Sequence, residues 1–161
     1  MVKYLFLDID GVLNSDEYYI ELYRYTKGKT SESYRFYPEG TASDGYQKNI
    51  DRAAVELVNR ICKETGAKIV LSSSWRIDNA CTGELAKLGI EVSDYTPYIP
   101  SRHRGTEIKK FLDTHRCSSY CILDDDTDML DSQLSNFVPV DFHFGLTKYD
   151  ADSAIEILGK D

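Results

Sequence analysis

Short apolar runs alternate along this chain with longer segments in which apolar residues recur at helical spacing. The first run, KYLFLDI (Lys3–Ile9), ends at a glycine, and a helical pattern from Ala54 to Ile61 stops at Gly66 before the run KIVLSS. Helix-then-strand pairs recur at NACTGELAKLG with IEVSDYT and at GTEIKKFLDTH with SYCILDDD, and NFVPVD with a helix over Asp150–Leu158 closes the chain. This alternation predicts a three-layer α/β fold, a parallel sheet covered by helices on both faces.

The chain has 161 residues, of which 42% are hydrophobic, and this is enough for one domain with a full core. We therefore predict a single domain over residues 1–161. Residues 14–47 differ from the rest, because seven tyrosines stand there among Gly, Ser, Thr and charged residues. This segment is predicted to be a small cap-like insertion, part helix and part loop. Its tyrosines either pack onto the domain or stack on a base or sugar.

The formal charge of −8 argues against an extended basic surface for duplex nucleic acid, because such binding depends on neutralising phosphates with Lys and Arg. Asp8 cuts the first apolar run far below the length of a signal-peptide core or a membrane span. The sequence therefore predicts no membrane partner and a cytoplasmic location. The absence of a CxxC pair favours reduced thiols over zinc sites or disulfides. The cysteines are Cys62, Cys81, Cys117 and Cys121.

Polar side chains end three of the predicted strands. Asp8 and Asp10 end the first, three serines beginning at Ser72 end the second, and the acidic run Asp124–Asp126 ends the fourth. In open parallel sheets, ligands bind beyond the carboxyl ends of the strands, so these side chains are expected to meet at one edge. The basic group Arg102–Arg104 precedes the helix before the fourth strand and adds a cation to this edge.

Carboxylate oxygens in such a group suit Mg²⁺, a hard cation that binds carboxylates together with substrate phosphate. A bound cation also explains why Asp8 and Asp10 interrupt the apolar run, because it offsets their mutual repulsion. Beside a phosphoryl group that shares this cation, an ionised Asp8 can attack phosphorus and form an aspartyl phosphate. Asp10 can then protonate the leaving oxygen and later take a proton from water.

Three motifs resemble, in order and spacing, those of haloacid dehalogenase (HAD)-like phosphohydrolases: DIDGVLNS the first, IVLSSS the second and ILDDD the fourth. The resemblance covers nearly the whole chain and implies a Rossmann-like sheet. It further implies that Asp8 is the nucleophile and that Asp10 is the general acid and base. Ser72, with Ser73 beside it, would bind the substrate phosphate. The Mg²⁺ ligands that it implies are Asp8, Asp10 through its backbone carbonyl, and Asp124, and we add Asp125 to the predicted metal residues.

The third motif of that superfamily is a Lys or Arg before or early in the helix that leads to the fourth strand. Here it falls on RHRGTEIKK, where Arg104 precedes the predicted helix and Lys109 stands about a turn inside it. Arg104 is therefore predicted to be the cation at the strand edge, with Lys109 as the alternative. The stretch SSSWR, the RG-E-I pattern and the terminal GLTKYDADSAIEIL resemble more narrowly the HAD domains of Swiss Army Knife RNA repair proteins.

Several residues near the motifs have two interpretations from the sequence. Asp125 and Asp128 either support the metal or lie on solvated surface. Asp126 is placed to cap a helix that would begin near residue 127. Trp75 and Arg76 either line the entrance for substrate or pack in the core.

The pattern as a whole predicts a Mg²⁺-dependent phosphatase, a phosphomonoester hydrolase that works through a phosphorylated Asp8. Its predicted partner is a phosphorylated small molecule or a phosphorylated nucleic-acid end. The natural substrate and the oligomeric state stay open. The alternative is a catalytically weak HAD-like module that binds phosphate or a partner protein. A response-regulator receiver is disfavoured, because its phosphorylated Asp follows a middle strand, which here ends in serines.

Overall fold

The computed structural model describes residues 2–27, 49–100 and 103–159, and in these ranges strands alternate with helices. The strands are β1 (Lys3–Leu7), β2 (Lys68–Leu71), β3 (Val92–Tyr95), β4 (Ser119–Asp124) and β5 (Phe137–Pro139). The α-helices are α1 (Asp16–Thr26), α2 (Arg52–Thr65), α3 (Asn79–Lys87), α4 (Arg104–Leu112) and α5 (Lys148–Gly159). Short 3₁₀ helices lie at Ser74–Ile77 and Asp131–Asn136.

The five strands form one parallel sheet in the order β3-β2-β1-β4-β5. β1 is central, and its Leu5 pairs with Ile69 of β2 on one side and with Cys121 of β4 on the other. From β1 the chain proceeds outward to β2 and β3, then returns through α4 to the far side of β1. The carboxyl ends of β1 and β4 therefore flank the switch point of the topology, where such sheets bind ligands. The predicted α/β class is confirmed.

Side chains of β1 alternate between two cores, as the pleat of a strand requires. Leu5 and Leu7 face the larger core, which contains the apolar stripes of α2 and α5. Phe6 faces the smaller core on the opposite side, where it meets Phe111 of α4 edge-on with ring centroids 5.5 Å apart. Each such fully buried side chain stabilises the fold by about 1.5–3 kcal/mol. The two cores hold β1 rigidly, and with it the acidic residues that follow.

Helix ends follow from local sequence. Ser15 caps α1, since its side chain accepts a hydrogen bond from the backbone nitrogen of Tyr18 at 3.0 Å. Asp51 caps α2 in the same way through Ala53, at 2.9 Å. Gly66 ends α2 with φ of 71°, a left-handed conformation that favours glycine. The predicted stop at Gly66 is confirmed.

One local prediction is wrong. No helix begins near residue 127, because residues 126–130 are irregular and the next helical turn is the 3₁₀ segment at Asp131–Asn136. Asp126 instead accepts a hydrogen bond from the backbone nitrogen of Thr127 at 3.2 Å, in a local turn. Its carboxylate thus satisfies its own neighbour and caps no helix.

The predicted insertion falls partly outside the described residues. Its first part forms α1, while residues 28–48 and Arg102 of the predicted basic group lie outside the described ranges. The extent of the insertion and the single-domain assignment stay predictions. Three of the four cysteines, Cys62, Cys117 and Cys121, carry free thiols. Across the described ranges, none of the helices combines the length and the apolar character needed to cross a bilayer.

Candidate active site

The residues that follow β1, β2 and β4 lie side by side. Backbone hydrogen bonds extend the sheet by one step beyond its strands: the nitrogen of Asp8 donates to Leu123 at 3.0 Å, and that of Ser72 donates to Leu7 at 3.0 Å. Asp124 is the last residue of β4. The side chains of Asp8, Ser72 and Asp124 are therefore fixed by the sheet itself, and all three residues are buried.

Asp8, Asp124 and Asp125 form a compact group of carboxylates. One carboxylate oxygen from each lies within 4.8 Å of those of the other two. Gly11 makes room for the group, because a Cβ at that position would overlap the carboxylate of Asp125. Its φ of 78° also favours glycine, so the glycine of the DIDG sequence has two structural reasons.

Burial makes this group electrostatically costly. Burial, together with the nearby Asp8 carboxylate and against the lowering effect of Arg104, raises the pKa of Asp124 to about 8. Burial also raises the pKa of Asp8, while Arg104 and Ser73 act in the opposite direction. Close buried carboxylates call for a positive partner, and an all-oxygen set suits a hard cation such as Mg²⁺. Oδ2 of Asp124, buried and without a hydrogen-bond partner, fits the same interpretation.

Arg104, the first residue of α4, points its guanidinium into the group. Nη2 lies 3.4 Å from Oδ1 of Asp8, and Nε lies 3.3 Å from Oδ2 of Asp124. Asp128 fixes the start of the helix, since its Oδ2 accepts a hydrogen bond from the backbone nitrogen of Arg104 at 2.8 Å. Lys109 lies elsewhere, exposed and paired with Asp113 at 2.8 Å. Of the two candidate cations, Arg104 is the one that the fold brings to the strand ends.

Buried polar atoms without hydrogen-bond partners concentrate at this edge. Among the described residues there are five, and three of them are Oγ of Ser72, Nη1 of Arg104 and Oδ2 of Asp124. Buried polar groups in folded proteins are nearly always paired, so unpaired ones at one place indicate a ligand that completes them. A hydroxyl and a guanidinium N–H can both donate to an anionic oxygen.

Asp10 lies outside the buried group, and its carboxylate is held on both oxygens. Oδ1 accepts from the side-chain amide of Asn14 at 3.1 Å, and Oδ2 accepts from the indole nitrogen of Trp75 at 2.9 Å. Asn14 is held in turn by Gly11, whose backbone nitrogen donates to its Oδ1 at 2.8 Å. The side chain of Asp10 is therefore oriented apart from the three clustered carboxylates, where it can exchange a proton.

The remaining predicted residues occupy supporting positions. Ser73 is buried, and its hydroxyl caps the 3₁₀ turn by accepting from the backbone nitrogen of Trp75 at 3.3 Å. Asp125 belongs to the carboxylate group, whereas Asp128 holds the start of α4, and Nδ1 of His103 lies 3.3 Å from Oδ2 of Asp128. The structure thus places Asp125 and Asp128, whose roles the sequence left open, in different surroundings.

Arg76 is buried behind the serines and belongs to neither the entrance nor an apolar core. Its Nη2 contacts Oε2 of Glu107 at 2.6 Å, and its Nη1 donates to the backbone carbonyls of Ser72 and Ser73. Nε donates to the carbonyl of Thr96 at 3.0 Å. This arginine therefore links the ends of β2 and β3 to α4. Its contact on α4 is Glu107, one turn beyond Arg104.

Sequence reasoning missed two residues that the site uses. Glu107 is buried and bridges Arg76 to the backbone nitrogen of Ile99, which donates to Oε1 at 2.9 Å. Asn14 orients Asp10 although it stands inside the first motif. An Asn four residues after the acid was a usable signal for the second. Nothing in the sequence pairs Glu107 with Arg76, which is 31 residues away.

Comparison with known families gives one match. The model of the family described as "HAD domain in Swiss Army Knife RNA repair proteins" matches residues 4–151, a range that includes the five strands except for the first residue of β1, and the whole carboxylate group. No curated protein and no solved structure matches the chain.

Proposed function

Because the chain belongs to the family of HAD domains in Swiss Army Knife RNA repair proteins, we propose that it is a Mg²⁺-dependent phosphomonoesterase that works through a phosphorylated Asp8. The observation that carries the proposal is the buried group of Asp8, Asp124 and Asp125 with Arg104 in contact with two of its members. A hydrolase of the HAD superfamily is the coarser statement that the family supports. Phosphate ester cleavage is our extension of it.

The three clustered carboxylates would hold the metal, and the resemblance adds the backbone carbonyl of Asp10. When bound, Mg²⁺ offsets the charge of these acids and of the phosphoryl oxygens. Two donors of the chain complete the binding of the phosphoryl group. Oγ of Ser72 and Nη1 of Arg104 are buried and unpaired, so each has a hydrogen bond to give to a phosphoryl oxygen without breaking another.

In the first step, a carboxylate oxygen of Asp8 forms a bond to phosphorus while the bond from phosphorus to the ester oxygen breaks. The electron pair of that bond goes to the ester oxygen, and Asp10 gives it a proton, so that an alcohol leaves. The two hydrogen bonds from Asn14 and Trp75 hold the carboxyl of Asp10 in one orientation for this transfer.

In the second step, water attacks phosphorus and the bond to Asp8 breaks. Asp10, now a carboxylate, takes a proton from the water. Inorganic phosphate leaves, and the carboxylate of Asp8 is restored. Because Arg104 contacts both Asp8 and Asp124, its charge favours the ionised form of the nucleophile throughout.

The test is phosphate release by the purified protein with and without Mg²⁺. Substrates would be an aryl phosphate, nucleotides, sugar phosphates and oligonucleotides with a 3′- or 5′-phosphate. We expect Mg²⁺-dependent release that Asp8→Asn abolishes, while Asp126→Asn, a matched change at an exposed acid outside the carboxylate group, stays within about twofold of wild type. Melting curves would show that both variants fold.

Three outcomes would contradict the proposal. Release without Mg²⁺ would refute the metal requirement, and release that survives Asp8→Asn would refute the phosphorylated aspartate. Tight binding of phosphate compounds in calorimetry with no turnover of any substrate would favour the binding module instead.

A further inference from the structure

A cavity of about 350 Å³ opens beside Asp10, and its described lining includes neither Ser72 nor Arg104. Its walls come from two parts of the chain that are distant in sequence: α1, through Asp16 and Tyr19, and the loop after β5, through Phe142. Asp10 and Asp125 also line it. The size is within the range of sites that take small organic ligands.

Main-chain hydrogen bonds hold the two walls together. The backbone nitrogen of Asp16 donates to the carbonyl of Phe142 at 3.1 Å, and that of Glu17 donates to the carbonyl of His143 at 3.1 Å. Nδ1 of His143 lies 2.8 Å from Oδ2 of Asp16. The first turn of α1 and the loop after β5 therefore form one preformed wall rather than two independent segments.

Two aromatic side chains that line the cavity are partly exposed. Tyr19 is 42% exposed and Phe142 is 47% exposed, which leaves ring surface available to a ligand. Tyr19 lines the cavity together with Asp10, and burial, then the carboxylate of Asp10, raise the pKa of Tyr19. Aromatic faces of this kind bind planar rings by stacking.

We infer that this cavity binds the leaving group of the substrate, and that the leaving alcohol carries an uncharged planar ring, as a nucleoside does. The inference rests on the proposed function, because it is the role of Asp10 as proton donor that places the leaving oxygen at the mouth of the cavity. The ring of the alcohol then lies between the side chains of Tyr19 and Phe142.

The charges of the lining residues further limit which leaving alcohols the cavity can bind. Among the described residues that line the cavity there is no Lys or Arg, whereas Asp10, Asp16 and Asp125 are acidic. These residues therefore offer no cation that could bind a second phosphate on the alcohol. These acids do not require a cationic ligand either. Asp10 is held by Trp75 and Asn14, Asp16 contacts His143, and Asp125 belongs to the carboxylate group.

The kinetic test compares adenosine 5′-monophosphate with ribose 5-phosphate. The two share the alcohol from which phosphate is cleaved and differ by the base, so the ratio of their kcat/KM values isolates recognition of the ring. We expect wild type to prefer the nucleotide by about tenfold or more, and Phe142→Ala to lose about tenfold of this ratio, chiefly through KM. Tyr19→Ala should lower the ratio of the two kcat/KM values by a comparable factor.

Matched controls are available on the same two segments. Phe144 is 59% exposed in the same loop, and Tyr23 is 59% exposed one turn further along α1; neither lines the cavity. Phe144→Ala and Tyr23→Ala should keep the wild-type ratio. Adenosine 3′,5′-bisphosphate and choline phosphate test charge, and both should be poorer substrates than the mononucleotide.

A binding measurement separates this inference from the proposed function. Adenosine is titrated into the metal-free protein, and the aromatic NMR signals of Tyr19 and Phe142 are followed. We expect shifts that Phe142→Ala weakens and Phe144→Ala does not, whether or not the protein turns over phosphate. An equal preference for ribose 5-phosphate, a preference for choline phosphate, or no adenosine-dependent shift would overturn the inference. Absence of all turnover would refute the phosphatase alone.

Discussion

Two arginines with largely buried side chains, 28 positions apart, differ in how completely the protein pairs their charge. Every nitrogen of the Arg76 guanidinium has an acceptor, and the side chain is 6% exposed. Arg104 is 17% exposed, contacts Asp8 and Asp124 at 3.3–3.4 Å, and keeps Nη1 unpaired. The acceptors of Arg76 are the backbone oxygens of Ser72, Ser73 and Thr96 and the carboxylate of Glu107.

The difference separates two regions. The closed region is structural and consists of Arg76, Glu107 and the ends of β2 and β3. The open region is the candidate active site, with Asp8, Ser72, Arg104, Asp124 and Asp125. Burial lowers the pKa of Arg76, and Glu107 opposes this, so the pair is neutral and complete within the protein. Burial acts the same way on Arg104, but the carboxylates of Asp124 and Asp8 outweigh it and raise its pKa. Unpaired buried groups cost stability, and three of the five such side-chain atoms among the described residues lie around Arg104, where a ligand can pair them.

The largest expected effect is a loss of activity when Arg104, the arginine of the open region, is replaced. Arg104→Met should lower kcat/KM for phosphate release by about 10³-fold, because the phosphoryl group loses a preorganised cationic donor. Denaturation in Mg²⁺ should show a change of less than about 1 kcal/mol in the free energy of unfolding, because the metal still offsets the acids. Lys109→Met, at an exposed lysine paired with Asp113, should leave both quantities near wild type.

The reverse result would break the comparison. If Lys109→Met lowered activity and Arg104→Met did not, the cation of the third motif would be the lysine.

The next largest effect is a loss of stability when Arg76, the arginine of the closed region, loses its counter-ion. Glu107→Gln leaves the buried charge of Arg76 without its counter-ion and should lower the free energy of unfolding by about 3 kcal/mol. Glu64→Gln is the matched change in an exposed pair, where Glu64 contacts Arg60 at 2.8 Å, and should cost less than about 0.5 kcal/mol. Urea denaturation of both variants checks this. Equal losses would mean that burial of the Arg76 pair is energetically unimportant.

Sequence reasoning recovered the fold and the open region because both depend on local pattern. Apolar runs and helical periodicity identify strands and helices, and in a parallel sheet the residue that ends each strand is known once the strand is. Asp8, Ser72 and Asp124 could therefore be predicted together. The choice between Arg104 and Lys109 followed from where the helix begins.

The closed region could not be predicted in this way. Arg76 and Glu107 are paired by tertiary packing, and three of the acceptors of Arg76 are backbone carbonyls, which carry no sequence signal. The same holds for the cavity, since Tyr19 and Phe142 are brought together by main-chain hydrogen bonds. The wrongly predicted helix near residue 127 has a similar cause, because Asp126 bonds its own neighbour instead of a helix end.

A smaller effect tests whether the open region awaits a metal. Mg²⁺ at ten times its dissociation constant should raise the free energy of unfolding by about 1.4 kcal/mol, and Asp124→Asn should remove this gain. Burial raises the pKa of Asp124 from 3.8 to about 8. Its protonated form is therefore favoured in the folded state, so the stability it contributes is full below pH 3.8 and is lost as pH rises through about 8.

This sign gives a pH test with the metal removed. Between pH 6 and pH 9 in a chelator, wild type should lose stability relative to Asp124→Asn, which has no carboxyl to ionise there. Asp126→Asn, at an exposed acid of the same run, should follow wild type. Parallel curves for wild type and Asp124→Asn would show that the carboxylate group carries no such strain.

The smallest effect concerns Trp75, which lies between the two regions. The next residue, Arg76, belongs to the closed region. The indole nitrogen of Trp75 donates to Asp10, beside the open region, at 2.9 Å. Trp75→Phe removes that donor and keeps an aromatic ring, and Asn14 still holds the other oxygen of Asp10. We expect kcat/KM for ribose 5-phosphate to fall about fivefold, the value of one hydrogen bond. For p-nitrophenyl phosphate the loss should be under twofold, because a good leaving group needs little help from an acid. Equal losses with both substrates would assign Trp75 to packing alone, because a general disturbance of the site would not distinguish the two leaving groups.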